Sequence, residues 1–192
     1  MRRIYAQGDL DGACFLYSIV NAYAALKHQG PEFAAVSRAF AQVDHPADFL
    51  SGIVGTTGQY DQKYVLLEDN IRRVLTLLGG GTFSVRRIAG RYSVDMLEEL
   101  LGENSVVVLR YMGCSKFLSD MDHWVCAVEY DTGDKTVHVA CSTRLQRACD
   151  GVACAYAETF NERCGRWSND MLLASPEHTI IDEEVFQISL RP

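Results

Sequence analysis

The sequence predicts an α+β protein in which helices come first and an antiparallel sheet follows. Three observations predict this class. Apolar residues recur at helical spacing early in the chain, the second half changes to short runs of β type, and glycine or proline interrupts the chain between these stretches. Separation of helices from strands along a chain is typical of α+β architecture.

Three helices are predicted in the first half of the chain. The first begins near Cys14, directly after the polar turn 8–12, and Gly30 with Pro31 ends it. A glycine-rich stretch at 49–62 is expected to be a surface connection or a flexible flap rather than a packed element. The other two helices are predicted at 31–43, with Phe33, Val36, Phe40 and Val43 on one stripe, and at 64–78, before three glycines.

The second half of the chain is predicted to form strands and one short helix. That helix is predicted at 93–101, with Ser93 as its capping residue. A tight turn at 131–134 joins two predicted strands, so these two most simply form a hairpin. The predicted strands cover 82–85, 105–112, 123–130, 135–141, 152–160 and 185–190.

Length and composition limit the classes of function. A chain of 192 residues, 48% of them apolar, supports one compact domain over 1–192. The formal charge of −7 argues against nucleic acid as a partner, since phosphate binding needs clustered Lys and Arg. No apolar run approaches the ~20 residues of a membrane helix, and no secretory signal is recognisable at the N-terminus. The sequence predicts a cytoplasmic protein that binds no membrane.

The seven cysteines form no CxxC pair, so a zinc ribbon is not expected, and we predict no metal and no cofactor. Reduced thiols are the default in a cytosol. Whether the four cysteines between Cys141 and Cys164 pair under oxidising conditions stays open, as does the oligomeric state.

Cys14 is the first candidate for chemistry. Thiol-dependent acyl transfer needs a thiolate, an imidazole within hydrogen-bond reach and donors for the oxyanion. Cys14 lies where the first turn of a helix is predicted, and the positive end of the helix dipole favours a thiolate there. An inert buried cysteine is the alternative interpretation for this residue considered alone.

His123 and Gln7 complete the candidate site. His123 leads a predicted strand and is followed by Trp124, so its imidazole can project from the sheet toward a helix terminus. Gln7 can place a side-chain amide donor beside the Cys14 thiol across the intervening turn. The remaining histidines have no comparable setting and are interpreted as structural or surface residues: His28, His45, His138 and His178.

Gln7, Cys14 at the head of a helix, and a later strand that carries His123 and Trp124 follow one another along the chain. This order of residues and elements resembles the papain-like peptidase superfamily, in particular its branch of double-glycine leader peptidases. The resemblance rests on stretch 7–21, from Gln7 through Cys14, and on stretch 96–139, where a short helix, a Val-Val-Val-Leu strand, Asp-His-Trp-Val and a turn-linked strand succeed one another. It implies a papain-like fold, with the nucleophile at a helix N-terminus packed on a C-terminal antiparallel sheet.

The resemblance also implies a mechanism and a substrate class. Cys14 attacks the carbonyl carbon of a peptide or isopeptide bond in a peptide or protein, His123 transfers the proton, and Gln7 with the Cys14 amide stabilises the oxyanion. The gap between Gln7 and Cys14 is one residue longer than is usual in the family.

A further departure concerns the residue that orients His123. The Asp or Asn expected after the histidine falls at Cys141 and Ser142. Three arrangements stay open: Ser142 holds the imidazole, an acid such as Asp120 or Asp122 does so from the loop before His123, or the site works as a dyad.

Other functions are compatible with the same residues. Asp11 to Cys14 also resembles the Asp-Gly-x-Cys opening of ovarian-tumour-type deubiquitinases. An acyl transferase or glutamine deamidase of transglutaminase-like type could use the same pair of Cys14 and His123. A binding module that keeps the fold without catalysis is the third alternative, favoured by the poor orienting residue.

Overall fold

The computed structural model describes residues 5, 13–44, 46, 63–79, 83–115, 118–133, 135–142, 170–173 and 178–191. The predicted strand at 152–160 and the loop at 49–62 lie outside these residues. Three α-helices, one 3-10 helix and six strands are described: α1 Cys14–Lys27, α2 Phe33–Phe40, α3 Lys63–Gly79, β1 Phe83–Arg87, the 3-10 helix Val94–Glu99, β2 Ser105–Ser115, β3 Leu118–Asp131, β4 Thr136–Ala140, β5 Asp170–Leu173 and β6 His178–Leu190.

The strands form one antiparallel sheet in the order β1-β6-β2-β3-β4-β5. The predicted hairpin is present, because β3 and β4 pair directly and the Gly133 amide donates to Asp131 Oδ1 at 2.9 Å in the turn. The first and last strands also pair, with Phe83 opposite Leu190. The predicted α+β class, with helices before the sheet, is confirmed.

The two faces of the sheet bury different clusters. Side chains alternate between faces along a strand, so Val106 and Val108 of β2 join the helices, whereas Val107 and Leu109 join the 3-10 helix. We call the first the helix face and the second the opposite face. Trp124 lies on the helix face and Val125 on the opposite face.

Helix α1 lies in the middle of the helix face. It packs mainly against β3, and also against α3 and β2. Residues on nearly every side of the helix are buried, including Ser18 and Asn21, which is typical of a helix enclosed by its neighbours. The helix ends at His28 in a left-handed conformation, φ 54°, ahead of the Gly30 and Pro31 predicted to end it.

Four local predictions need correction. His123 does not lead its strand, because β3 already begins at Leu118. Helix α2 is shorter than predicted, and Phe33 at its start is 71% exposed rather than part of the buried stripe. The segment after Ser93 is a 3-10 helix, and the Ser93 side chain makes no capping hydrogen bond. Residues 118–122, including Asp120 and Asp122, belong to β3 rather than to a loop.

Candidate functional site

Cys14 is the first residue of α1, as predicted. The first i to i−4 bond of the helix runs from the Tyr17 amide to the Ala13 carbonyl at 3.0 Å, and no side chain caps this end. Amides in the first turn of a helix have no acceptor within the helix and give this end a partial positive charge. The thiol is 2% exposed, so a substrate reaches Cys14 only if the groups covering it move.

The chain before the helix is attached to it by Asn21. The Asn21 side chain accepts from the Tyr5 amide at 2.6 Å and donates to the Tyr5 carbonyl at 3.1 Å. Asn21 is 1% exposed, and the Tyr5 hydroxyl also donates to the Pro31 carbonyl. Gln7, Asp11 and the rest of 6–12 lie outside the described residues, so the predicted oxyanion role of Gln7 stays a prediction.

His123 lies on β3 directly opposite Tyr111 of β2. The two rings meet edge to face, with centroids 6.1 Å apart. Nε2 of His123 is 3.3 Å from the Sγ of Cys141, which follows the last residue of β4. Tyr111 and Cys141 both belong to the cluster on the opposite face. The imidazole therefore points away from the face on which Trp124 packs.

Helix α1, which begins at Cys14, packs against β3, which carries His123. The side chains of Cys14 and His123 nevertheless do not bind each other. Phe15, which follows Cys14, packs against Trp124, which follows His123, with ring centroids 4.8 Å apart and planes at 64°. Among the residues that the structure describes, no hydrogen bond joins the Cys14 thiol to the imidazole. The thiol described next to His123 is that of Cys141.

His123 lies in a part of β3 that pairs with β2 but not with β4. β3 pairs with β4 from Cys126 to Asp131, and the chain leaves β4 after Ala140. At the level of His123, β2 is the neighbouring strand on one side, and Cys141 and Ser142 follow the end of β4 on the other. Both residues are buried, Cys141 at 0% and Ser142 at 1% exposure. Within the described residues, His123 thus occupies an edge of the sheet.

Cys126 is a third buried thiol, and its burial raises its pKa. It lies on β3 on the helix face, and its Sγ contacts the Ala127 carbonyl at 3.8 Å. Burial raises the pKa of the Cys126 thiol well above its ordinary range. A thiol that stays protonated is a poor nucleophile, so Cys126 is structural. Cys14, Cys126 and Cys141 are all unpaired with other cysteines.

A buried ion pair next to the site was not predicted. Arg110 of β2, directly opposite Trp124, donates through Nη1 to both oxygens of Glu184 at 3.2 and 3.0 Å. The Arg110 side chain is 9% exposed and that of Glu184 is 0% exposed. The signal available in the sequence was a charged residue inside the apolar run 105–112. Its partner could not be read from the sequence, because it lies 74 residues away.

Some candidate residues are outside the structural description. The side chains of Asp120 and Asp122 and the cysteines at 149, 154 and 164 are among them. No group of three or more metal-ligating side chains occurs among the described residues. A groove lined by Arg72, Leu75, Thr76, Phe83, Val85 and Arg191 lies between α3 and β1 and includes neither Cys14 nor His123.

No protein-family model matches the chain, and no curated protein matches it significantly. In the part of the chain that the structure describes, no helix has both the length and the apolar character needed to cross a lipid bilayer.

Proposed function

We propose that the protein is a papain-like thiol hydrolase that cleaves a peptide or isopeptide bond with Cys14 as nucleophile and His123 as general base. The observation that carries the proposal is the ring contact between Phe15 and Trp124. These two residues follow the proposed nucleophile and base in the chain, so their contact holds the N-terminal end of α1 against the strand of His123.

The proposed reaction proceeds through a thioester. His123 takes the proton of the Cys14 thiol as Sγ attacks the carbonyl carbon, and gives that proton to the amine as the C–N bond breaks. Water then attacks the thioester, releasing the acid and regenerating the thiol. The Cys14 backbone amide and the Gln7 side-chain amide stabilise the negative oxygen of each tetrahedral intermediate.

The proposed pairing requires the imidazole to move. Cys14 belongs to the cluster on the helix face, whereas His123 contacts Tyr111 and Cys141 of the cluster on the opposite face. The proposed reaction therefore requires the ring to leave Cys141 and to reach the N-terminal end of α1.

The test compares turnover and thiol reactivity in single variants. Native protein, Cys14→Ala and His123→Ala are incubated with mixed peptide and isopeptide substrates, and products are identified by mass spectrometry. We expect turnover by the native protein and its loss in both variants, whereas Cys126→Ala, which removes a structural thiol, keeps it. Turnover that survives Cys14→Ala, or is abolished instead by Cys141→Ala with Cys14→Ala active, assigns the nucleophile elsewhere and refutes the proposal.

A non-catalytic binding module is the second candidate. The observation that favours it is the burial of Cys14 at 2% exposure. Iodoacetamide labelling at neutral pH separates the two functions, because an activated thiolate reacts faster than an inert buried thiol. Labelling of Cys14 well ahead of Cys126 supports the hydrolase. Equal, slow labelling of both, together with absence of turnover, supports the binding module.

A further inference from the structure

We propose that the groove between α3 and β1 is a binding site for a small organic carboxylate. The groove combines positive charge with apolar surface, since its lining consists of Arg72, Arg191, Leu75, Thr76, Phe83 and Val85. It includes neither residue of the proposed catalytic pair. The ligand site is therefore separate from the proposed hydrolase site, and the two can be tested independently.

Apolar residues from both elements form the floor of the groove. Leu75 of α3 and Phe83 and Val85 of β1 are all buried. They belong to the core cluster on the helix face, so packing fixes their positions. The groove encloses about 220 Å³, less than the roughly 300–1,000 Å³ that is usual for pockets of drug-sized ligands. Its size therefore suits a small acid rather than a nucleotide or a larger cofactor.

The Arg72 guanidinium is held in place before any ligand binds. Its Nη2 donates to the carboxylate of Glu68, one turn earlier in α3, and to the backbone carbonyl of Val85 in β1. Among the residues that the structure describes, both hydrogen bonds of this side chain use Nη2, so Nη1 and Nε can donate to a ligand. A donor that is already fixed loses little conformational entropy on binding.

Positive charge exceeds negative charge around the groove. Arg191 directly follows β6, and no ion pair joins it to any residue within the described part of the chain. Glu68 offsets part of the Arg72 charge but does not line the groove. The Lys27 ammonium also lies 5.2 Å from the centroid of the Phe83 ring. Since the chain as a whole has a formal charge of −7, this local excess of cations marks the groove as a place for an anion.

A carboxylate with an apolar body matches both parts of the groove. Guanidinium groups form charge-assisted hydrogen bonds with carboxylates and with phosphates. Glu68 favours the carboxylate, because its own negative charge repels a dianion more strongly than a monoanion. An alkyl or aryl group on the ligand would also remove the apolar floor from water, which an inorganic anion cannot do.

The test titrates the full chain with phenylpropionate and follows the backbone amides by NMR. We expect concentration-dependent shifts at Thr76, Phe83 and Val85, and a Kd that rises with ionic strength. Three comparison ligands separate the contributions. Phenylpropionamide lacks the charge, acetate lacks the apolar body, and inorganic phosphate supplies a different anion. We expect each of the three to bind more weakly than phenylpropionate.

Variants assign the binding to the two arginines of the groove. Arg191→Gln should raise the Kd for phenylpropionate about 5-fold, the upper end for a partly exposed ion pair. Arg72→Gln should weaken binding in the same direction, with thermal melting to confirm folding, because this variant also loses the bond to the Val85 carbonyl. Arg73→Gln is the matched control, since it removes a similarly exposed arginine from the same helix outside the groove.

Several results would overturn the carboxylate site. They are the absence of shifts in the groove, equal affinity for phenylpropionamide, acetate or phosphate, and an unchanged Kd in Arg191→Gln. Cys14→Ala should bind phenylpropionate as the native protein does, because Cys14 does not line the groove. Loss of the carboxylate site would therefore leave the proposed hydrolase intact, and absence of turnover would leave the carboxylate site intact.

Discussion

Asn21 holds the backbone of Tyr5 with both ends of its side-chain amide, at 2.6 and 3.1 Å. This places Tyr5 along the side of α1, two turns beyond the start of the helix. The same amide thus satisfies two backbone groups and attaches Tyr5 to the helix.

We expect Asn21→Ala to destabilise the protein by about 1–3 kcal/mol for each backbone group of Tyr5 that loses its partner. Urea denaturation measures the change in the free energy of unfolding. Asn104→Ala is the control, because the Asn104 side chain is exposed and its loss should change stability by less than about 0.5 kcal/mol. Equal stability of the two variants would show that the Tyr5 attachment contributes nothing.

Glu184→Gln should destabilise the protein by about 3–5 kcal/mol, because it removes the buried carboxylate that pairs with the Arg110 guanidinium. Chemical denaturation measures this loss. Replacement of both partners, Arg110→Met with Glu184→Leu, should restore most of the stability, since both members of the buried pair are then apolar. For comparison, Asp44→Asn breaks the exposed pair with Arg73 and should cost no more than about 1 kcal/mol. A small effect of Glu184→Gln would contradict the burial of this pair.

Phe15→Ala should cost about 3–5 kcal/mol, because it removes a fully buried ring and its contact with Trp124. Phe33→Ala changes the same side chain at a position that is 71% exposed, and we expect a loss within about 0.5 kcal/mol. Thermal and urea unfolding of both variants check the prediction. Similar losses in the two would mean that Phe15 is not the core residue described.

Burial of Cys126 should make stability fall at alkaline pH. Its folded-state pKa is raised, so its contribution is complete below the unfolded value of about 8.5 and is lost as pH rises above it, when only the unfolded thiol ionises. The slope approaches about 1.36 kcal/mol per pH unit. Urea unfolding between pH 7.5 and 10 should show a steeper decline for native protein than for Cys126→Ala. Parallel curves would refute a protonated Cys126.

Local chemistry made several elements predictable from the sequence. The start of α1 at Cys14 follows from a polar turn placed directly before an apolar helical pattern, and both features lie within about one turn of each other. The β3–β4 hairpin follows from the turn at 131–134, where Asp131 binds the Gly133 amide. These predictions depend on neighbours in the chain, which the sequence displays directly.

Boundaries were predicted less well because pairing with other strands overrides local preference. β3 extends back to Leu118 since β2 supplies a partner for it as far as Ser115. β6 begins at His178, seven residues before the predicted strand, because Gly113 and Met112 of β2 pair with its first residues. Phe33 fits the apolar stripe of α2 in the sequence, yet it lies at the exposed end of a shorter helix.

The sequence by itself determined the class of fold and the helix that begins at Cys14, while the choice of His123 among five histidines stays a prediction. Only the tertiary structure decided which groups those residues meet: Cys141 beside the imidazole from 18 residues away, and Glu184 beside Arg110 from 74 residues away. The physical reason is that periodicity and turns act between chain neighbours. Contacts across a sheet depend on strand order, register and face, which emerge only when all the strands are packed together.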